Sequence, residues 1–96
     1  MGNLTDGSPV IHPALTWRLL DGETVIVSPT SGEIRVLNHV GSEIWQLVAD
    51  GTQVTEIESV LADQYGLSPQ QAKVDVSVFL EDLMKRGLIT WERDAA

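Results

Sequence analysis

The chain has 96 residues, 43% apolar and 21% charged, with 14 acidic residues against 6 basic ones and a net charge of −8. That is enough for one domain with one core, too little for two, and too apolar to stay disordered. The acidic balance repels phosphate backbones and anionic lipid. The absence of cysteine excludes thiol catalysis, iron–sulfur clusters and cysteine zinc sites, and it argues for the cytosol, since a secreted domain this small would often carry disulfides.

Residues 1–13 are polar and punctuated by Gly and Pro, and they read as a loose tail. They lack the basic and apolar regions of a secretory signal. Asp6 stands where a myristoylation pattern needs Ser or Thr. No apolar run in the chain approaches the ~20 residues of a membrane helix.

Three strands follow. Thr16 to Leu20 is the first, and Asp21-Gly22 is a hairpin signal, because Gly accepts the positive φ of a type I′ turn. Thr24 to Ser28 is β-branched and apolar on both faces, as a central strand would be. Pro29 to Gly32 is a second turn. Glu33 to Leu37 is the third strand, with Ile34 and Val36 on one face and Glu33 and Arg35 on the other. In a meander of this order the third strand lies on an open edge. Such an edge offers unpaired N–H and C=O groups to an incoming peptide, or to a second copy in a homodimer.

The period then changes from two to 3.6. Asn38 is a good N-cap for a helix over about 39–50, striped by Val40, Ile44, Leu47 and Val48 and ended by Asp50-Gly51. A second helix, about 53–65, places Val54, Ile57, Leu61 and Tyr65 on one face, with Thr52 as its cap and Gly66 after it. Ser68-Pro69-Gln70-Gln71 opens a third helix with an N-cap, Pro at N1 and Gln at N3. Its core face is Ala72, Val76, Phe79, Leu80 and Leu83, and Gly87 ends it. Leu88 to Trp91 can then fold back as an extended segment. Val74 and Val78 lie roughly opposite the core stripe, one turn apart, as surface valines or as one wall of an apolar groove.

Chemistry-bearing constellations are poor. His12 and His39 lack ligand spacing, so no metal or cofactor is expected. No triad, G-x-x-x-x-G-K-[ST] or G-x-G-x-x-G pattern occurs. No catalytic residue is assigned, and the expectation is a binding protein rather than an enzyme. Trp17, Trp45 and Trp91 read as closing the edges of a small core.

The ordered set Leu37-Asn38, Gly41, Ile44-Trp45, Leu47, Gly51, Ile57, Leu61, Asp75-Val76, Phe79-Leu80, Leu83 and Gly87-Leu88 resembles the PqqD-like family, the peptide-recognition elements of ribosomal natural-product pathways. The resemblance covers about residues 16–90. Between Gly51 and Ile57 the chain is one residue shorter than the usual spacing. The run from Gly32 through Asn38 into Gly41-Ser42-Glu43-Ile44-Trp45 looks most like the stand-alone recognition proteins of lasso peptide biosynthesis.

The resemblance implies an α+β, winged-helix-like fold: a three-stranded antiparallel sheet followed by three helices, over residues 14–92, with tails at 1–13 and 93–96. It implies a leader peptide added to the third strand at Glu33, Ile34, Arg35, Val36 and Leu37. That leader would lie against Val74, Asp75, Val78 and Phe79 of the third helix, with a tyrosine and a proline as anchors. The partners implied are the precursor leader, a leader peptidase and a macrocycle-forming synthetase. Alternatives are a chaperone of pyrroloquinoline quinone biosynthesis, a winged-helix DNA-binding protein, or a structural subunit of a larger enzyme. Lys73, Lys85 and Arg86 against Asp75, Glu81 and Asp82 leave the third helix without a basic face for DNA.

Overall fold

The computed structural model describes residues 8–92. Its elements are β1 (Ser8–Ile11), β2 (Thr16–Leu20), β3 (Glu23–Val27), β4 (Ile34–Leu37), α1 (His39–Ala49), α2 (Val54–Tyr65), α3 (Pro69–Lys85) and β5 (Ile89–Glu92). The expected α+β order is present: an antiparallel sheet β2-β3-β4, then three helices.

The β2–β3 hairpin turns on Asp21 (φ 50°) and Gly22 (φ 81°), the left-handed pair a type I′ turn requires. Gly22 is also crowded: a Cβ there would stand 2.5 Å from Cε1 of His39. The second turn closes through Ser28 N–H on the Glu33 carbonyl (2.9 Å) and Gly32 N–H on the Ser28 carbonyl (2.7 Å). Glu33 therefore belongs to the turn, and the third strand of the sheet starts at Ile34 rather than at Glu33.

Two helix starts behave as read. Asn38 Oδ1 accepts from Gly41 N–H at 2.8 Å, and Ser68 Oγ accepts from Gln71 N–H at 3.1 Å ahead of Pro69. The third differs, because the N-cap of α2 is Gln53, not Thr52, and no side chain caps it. The Gln71 amide reaches forward to Asp75 Oδ1 (2.8 Å) rather than back to the cap.

The core joins Ile26 of β3, Ile44, Trp45 and Val48 of α1, Val54, Ile57 and Leu61 of α2, and Val76, Leu80 and Leu83 of α3, all buried. Trp17 meets Trp45 edge-to-face, ring centres 6.0 Å apart at 84°, an arrangement that suits the ring quadrupoles. Trp45 is fully buried, whereas Trp17 and Trp91 pack at the core's margin.

The loose tail expected over 1–13 does not extend to Ser8–Ile11. Those residues pair antiparallel with β5, from Ser8↔Glu92 to Ile11↔Ile89, making a second, two-stranded sheet. The segment after Gly87 does fold back, and β1 is what it pairs with. Residues 1–7 and the tail expected at 93–96 lie outside the described residues.

Candidate functional site

β4 is bonded to β3 on one side only, in the register Thr24↔Leu37, Val25↔Val36, Ile26↔Arg35 and Val27↔Ile34. Among the described residues no strand covers its other side. Glu33 directs its carbonyl at the β3 side, at Ser28. Backbone direction alternates along an antiparallel strand. The N–H and C=O groups of Arg35 and Leu37 therefore face β3, and those of Ile34 and Val36 face the open edge. The side chains alternate as well. Arg35 and Leu37 are half-buried on the inner face, and Ile34 (68% exposed) and Val36 (59%) stand on the outer face. Arg35 reaches Glu33 across 3.6 Å, a loose ion pair in an exposed setting that contributes little.

A hydroxyl fixes the far end of this strand. The Ser42 hydroxyl accepts from Thr24 N–H at 2.7 Å and donates to the Leu37 carbonyl at 3.2 Å. It bridges the β3–β4 pair where the ladder ends, and it is only 2% exposed. α1 thereby holds the edge strand in place.

Beside the end of β4 lies a cleft of about 500 Å³ between the start of α1 and α3. Asn38, Val40, Gly41 and Ile44 form one wall, Asp75, Val78, Phe79 and Asp82 the other, and Leu61 also lines it. The α3 residues are spaced i, i+3, i+4, i+7, which places them on one helix face. Phe79 is packed against Gly41, where a Cβ would stand 3.0 Å from its Cε1. The two carboxylates on this wall are engaged along their own helix: Asp75 accepts from Gln71, and Asp82 holds Arg86 Nε at 2.9 Å.

The fold brings Asp75, Val78 and Phe79 to one cleft. Val74 does not line it and stands half-exposed on α3. The α1 wall was not legible: Val40 reads as core stripe, yet it is exposed beside the N-cap and faces the cleft. A second cavity, about 290 Å³, opens on the other face of α1 between Leu19, Gly22, His39 and Glu43. Glu43 also accepts hydrogen bonds from Gln64 (2.7 Å) and from the Tyr65 hydroxyl (3.3 Å). Loss of water and the nearby Glu43 carboxylate push the Tyr65 pKa up from its ordinary value. Among the described residues no group of three or more His, Asp or Glu side chains converges as a metal site would need. No helix among them is long and apolar enough to cross a membrane.

The arrangement is a bare strand margin that leads into an apolar cleft. Backbone groups can fix the direction of an extended segment, and the cleft can take its side chains.

Comparison with known proteins agrees with this outline. The family described as Coenzyme PQQ synthesis protein D (PqqD) matches residues 23–89. The structure of TbiB1 in complex with the TbiA(beta) leader peptide is 27% identical, covers 88% of this chain and 99% of that chain, and superposes with a TM-score of 0.82. Lasso peptide synthetase B1 complexed with the leader peptide is 22% identical, covers 86% and 98%, and gives 0.80, a likeness of fold. No curated protein matches the sequence.

Proposed function

We propose a function on one premise: the chain belongs to the PqqD family. It captures the leader segment of a ribosomally made precursor peptide. The leader adds a strand to β4 and lays its anchoring side chains in the cleft between α1 and α3. The chain performs no chemistry itself. It presents the bound precursor to a leader peptidase and a macrocycle-forming enzyme, and a lasso peptide pathway is the favoured setting. The observation that carries this reading is the edge of β4, unpaired among the described residues, next to an apolar cleft. Support comes from TbiB1, a leader-bound protein matched over 99% of its length.

Magnitudes divide the work. Ile34 and Val36 offer up to four edge hydrogen bonds, each net about 0.5–1.5 kcal/mol. Micromolar affinity needs roughly 8 kcal/mol, and ordering a flexible leader costs several more. Backbone pairing alone falls short. Two or three apolar side chains, each contributing about 1.5–3 kcal/mol on burial, supply the remainder. Val40, Ile44, Val78 and Phe79 are the surfaces they meet. Pairing sets direction, and the cleft sets identity.

The test is amide chemical-shift mapping of the labelled chain with candidate leaders. Perturbations confined to β4, the start of α1 and the cleft face of α3 are expected. Shifts elsewhere, or none with any leader, would sink the proposal. DNA binding is disfavoured by the mixed, acid-containing surface of α3.

A further inference from the structure

The cleft accounts for the exposure of Val40 and Val78. It does not account for Ile34 and Val36. Among exposed large apolar side chains that do not line it, these two are the most exposed, and they project from the opposite face of the sheet. Their cross-strand partners Val27 and Val25 are apolar and half-buried, so from β3 to its margin the outer face is apolar, with Arg18 and Thr16 of β2 beyond. Natural sheets guard a free edge with charge, proline or a bulge, because an uncovered apolar edge invites aggregation. Neither Ile34 nor Val36 supplies such a guard.

These are also the two residues whose backbone groups face the open edge. A strand held by those groups sets the side chains opposite them on the outer face, about 5 Å away. No further contact is needed to bring them there. We propose, resting on the strand-capture reading above, that the outer face of β4 is a second specificity surface for the captured leader. It takes apolar side chains, β-branched or aromatic, at the two leader positions opposite Ile34 and Val36. The leader is then read on both faces of its strand: alternate residues enter the cleft side, and those between pack on Ile34 and Val36. Its paired segment is a near-continuous apolar run, the pattern of a strand covered on two sides, rather than an apolar/polar alternation.

The test uses the full chain and a randomised twelve-residue peptide display library. Wild type is expected to select peptides that shift β4 amides and carry Val, Ile, Phe or Tyr at two positions two apart, besides the cleft anchors. The best such peptide should bind the double variant Ile34→Thr/Val36→Thr about fivefold more weakly, given the modest size of cross-strand pairs. Both substitutions keep a β-branched residue at an exposed site, so the fold is retained. Changing the two peptide positions to Thr should make wild type and variant equal. Equal affinity for the parent peptide overturns the inference, as does the same loss with both peptides. A concentration-dependent dimer of wild type that the variant abolishes also overturns it, because the occupant is then a second copy. If no peptide shifts β4 amides in wild type, strand capture itself falls, an outcome distinct from the others.

Discussion

Gly41 leaves the space that the Phe79 ring fills: a Cβ on Gly41 would stand 3.0 Å from Cε1 and 3.1 Å from Cζ of that ring. Gly41 lies inside α1, and its φ is not among the positive values, so the need for glycine here is one of room rather than of backbone conformation. Gly41→Ala gains about 0.5–1 kcal/mol of helix propensity and displaces the ring that forms one wall of the cleft. The expected outcome is a melting temperature near that of wild type with leader affinity reduced severalfold. Calorimetry and leader titration, run on the same preparation, check both halves. An unchanged affinity would mean that the position of Phe79 is immaterial to binding.

Val78 and Val74 separate two faces of α3. Val78 lines the cleft and is 62% exposed, so an aspartate there stays hydrated in the free domain but opposes an apolar leader side chain. Val78→Asp should weaken leader binding by at least about tenfold, the equivalent of one poorly buried apolar group. Val74→Asp, outside the cleft, should change it little. Titration of a labelled leader decides the matter, and the reverse ranking would relocate the site.

Proline tests the bare margin. Val36→Pro removes an N–H that faces the open edge, where the β3 ladder does not use it, and such edge positions tolerate proline. Leader affinity should fall about three- to tenfold, one hydrogen bond's worth, with the domain still folded. Arg35→Pro removes an N–H directed at β3 and should unfold the hairpin margin instead. Circular dichroism and titration of the pair distinguish the two sides of the strand. Equal unfolding by both would show that the assigned alternation is wrong.

Ser42 joins sheet to helix by one hydroxyl. Ser42→Ala leaves Thr24 N–H buried without its partner, a cost of about 1–3 kcal/mol. Denaturant unfolding should show a shifted midpoint with little change in slope. A midpoint equal to wild type would mean that the ladder closes without the bridge.

Tyr65 carries a pH signature. Partial loss of water and the Glu43 carboxylate favour its neutral form in the folded chain. The raised folded pKa makes this contribution complete below the ordinary tyrosine value and lost as pH rises through the folded one. Absorbance titration should give a midpoint above 10, and Glu43→Gln should move it downward. No movement would assign the effect to partial loss of water alone.

Much of this was legible in the sequence because the signals were local. Asp21-Gly22 set the hairpin, Asn38 and Ser68 set two helix starts, and β-branched residues on both faces marked β3 as central. β1 was missed because four residues containing Pro9 carry no strand period of their own, and their partner lies at the far end of the chain. The α1 wall was missed for a similar reason. Helical period places Val40 with Ile44, and only the packing of α3 beside the start of α1 makes a cleft there. α3 likewise presents Val78 and not Val74 to that cleft, a distinction that spacing leaves open. Glu33 shows the limit of strand reading: its carbonyl closes the preceding turn, a three-dimensional fact that alternation does not register.

The clasp of β1 on β5 brings Ser8 opposite Glu92, beside Val48 and Ala49 at the tail end of α1. The cleft opens at the head of that helix, so about 16 Å of helical rod stands between the two. Ser8 and Glu92 therefore share one corner of the described structure, at the far end of α1 from the docking groove. A dye attached at Ser8 or Glu92 therefore sits a helix length from the groove, and a short linker joining those two residues would let new ends be cut in a loop elsewhere.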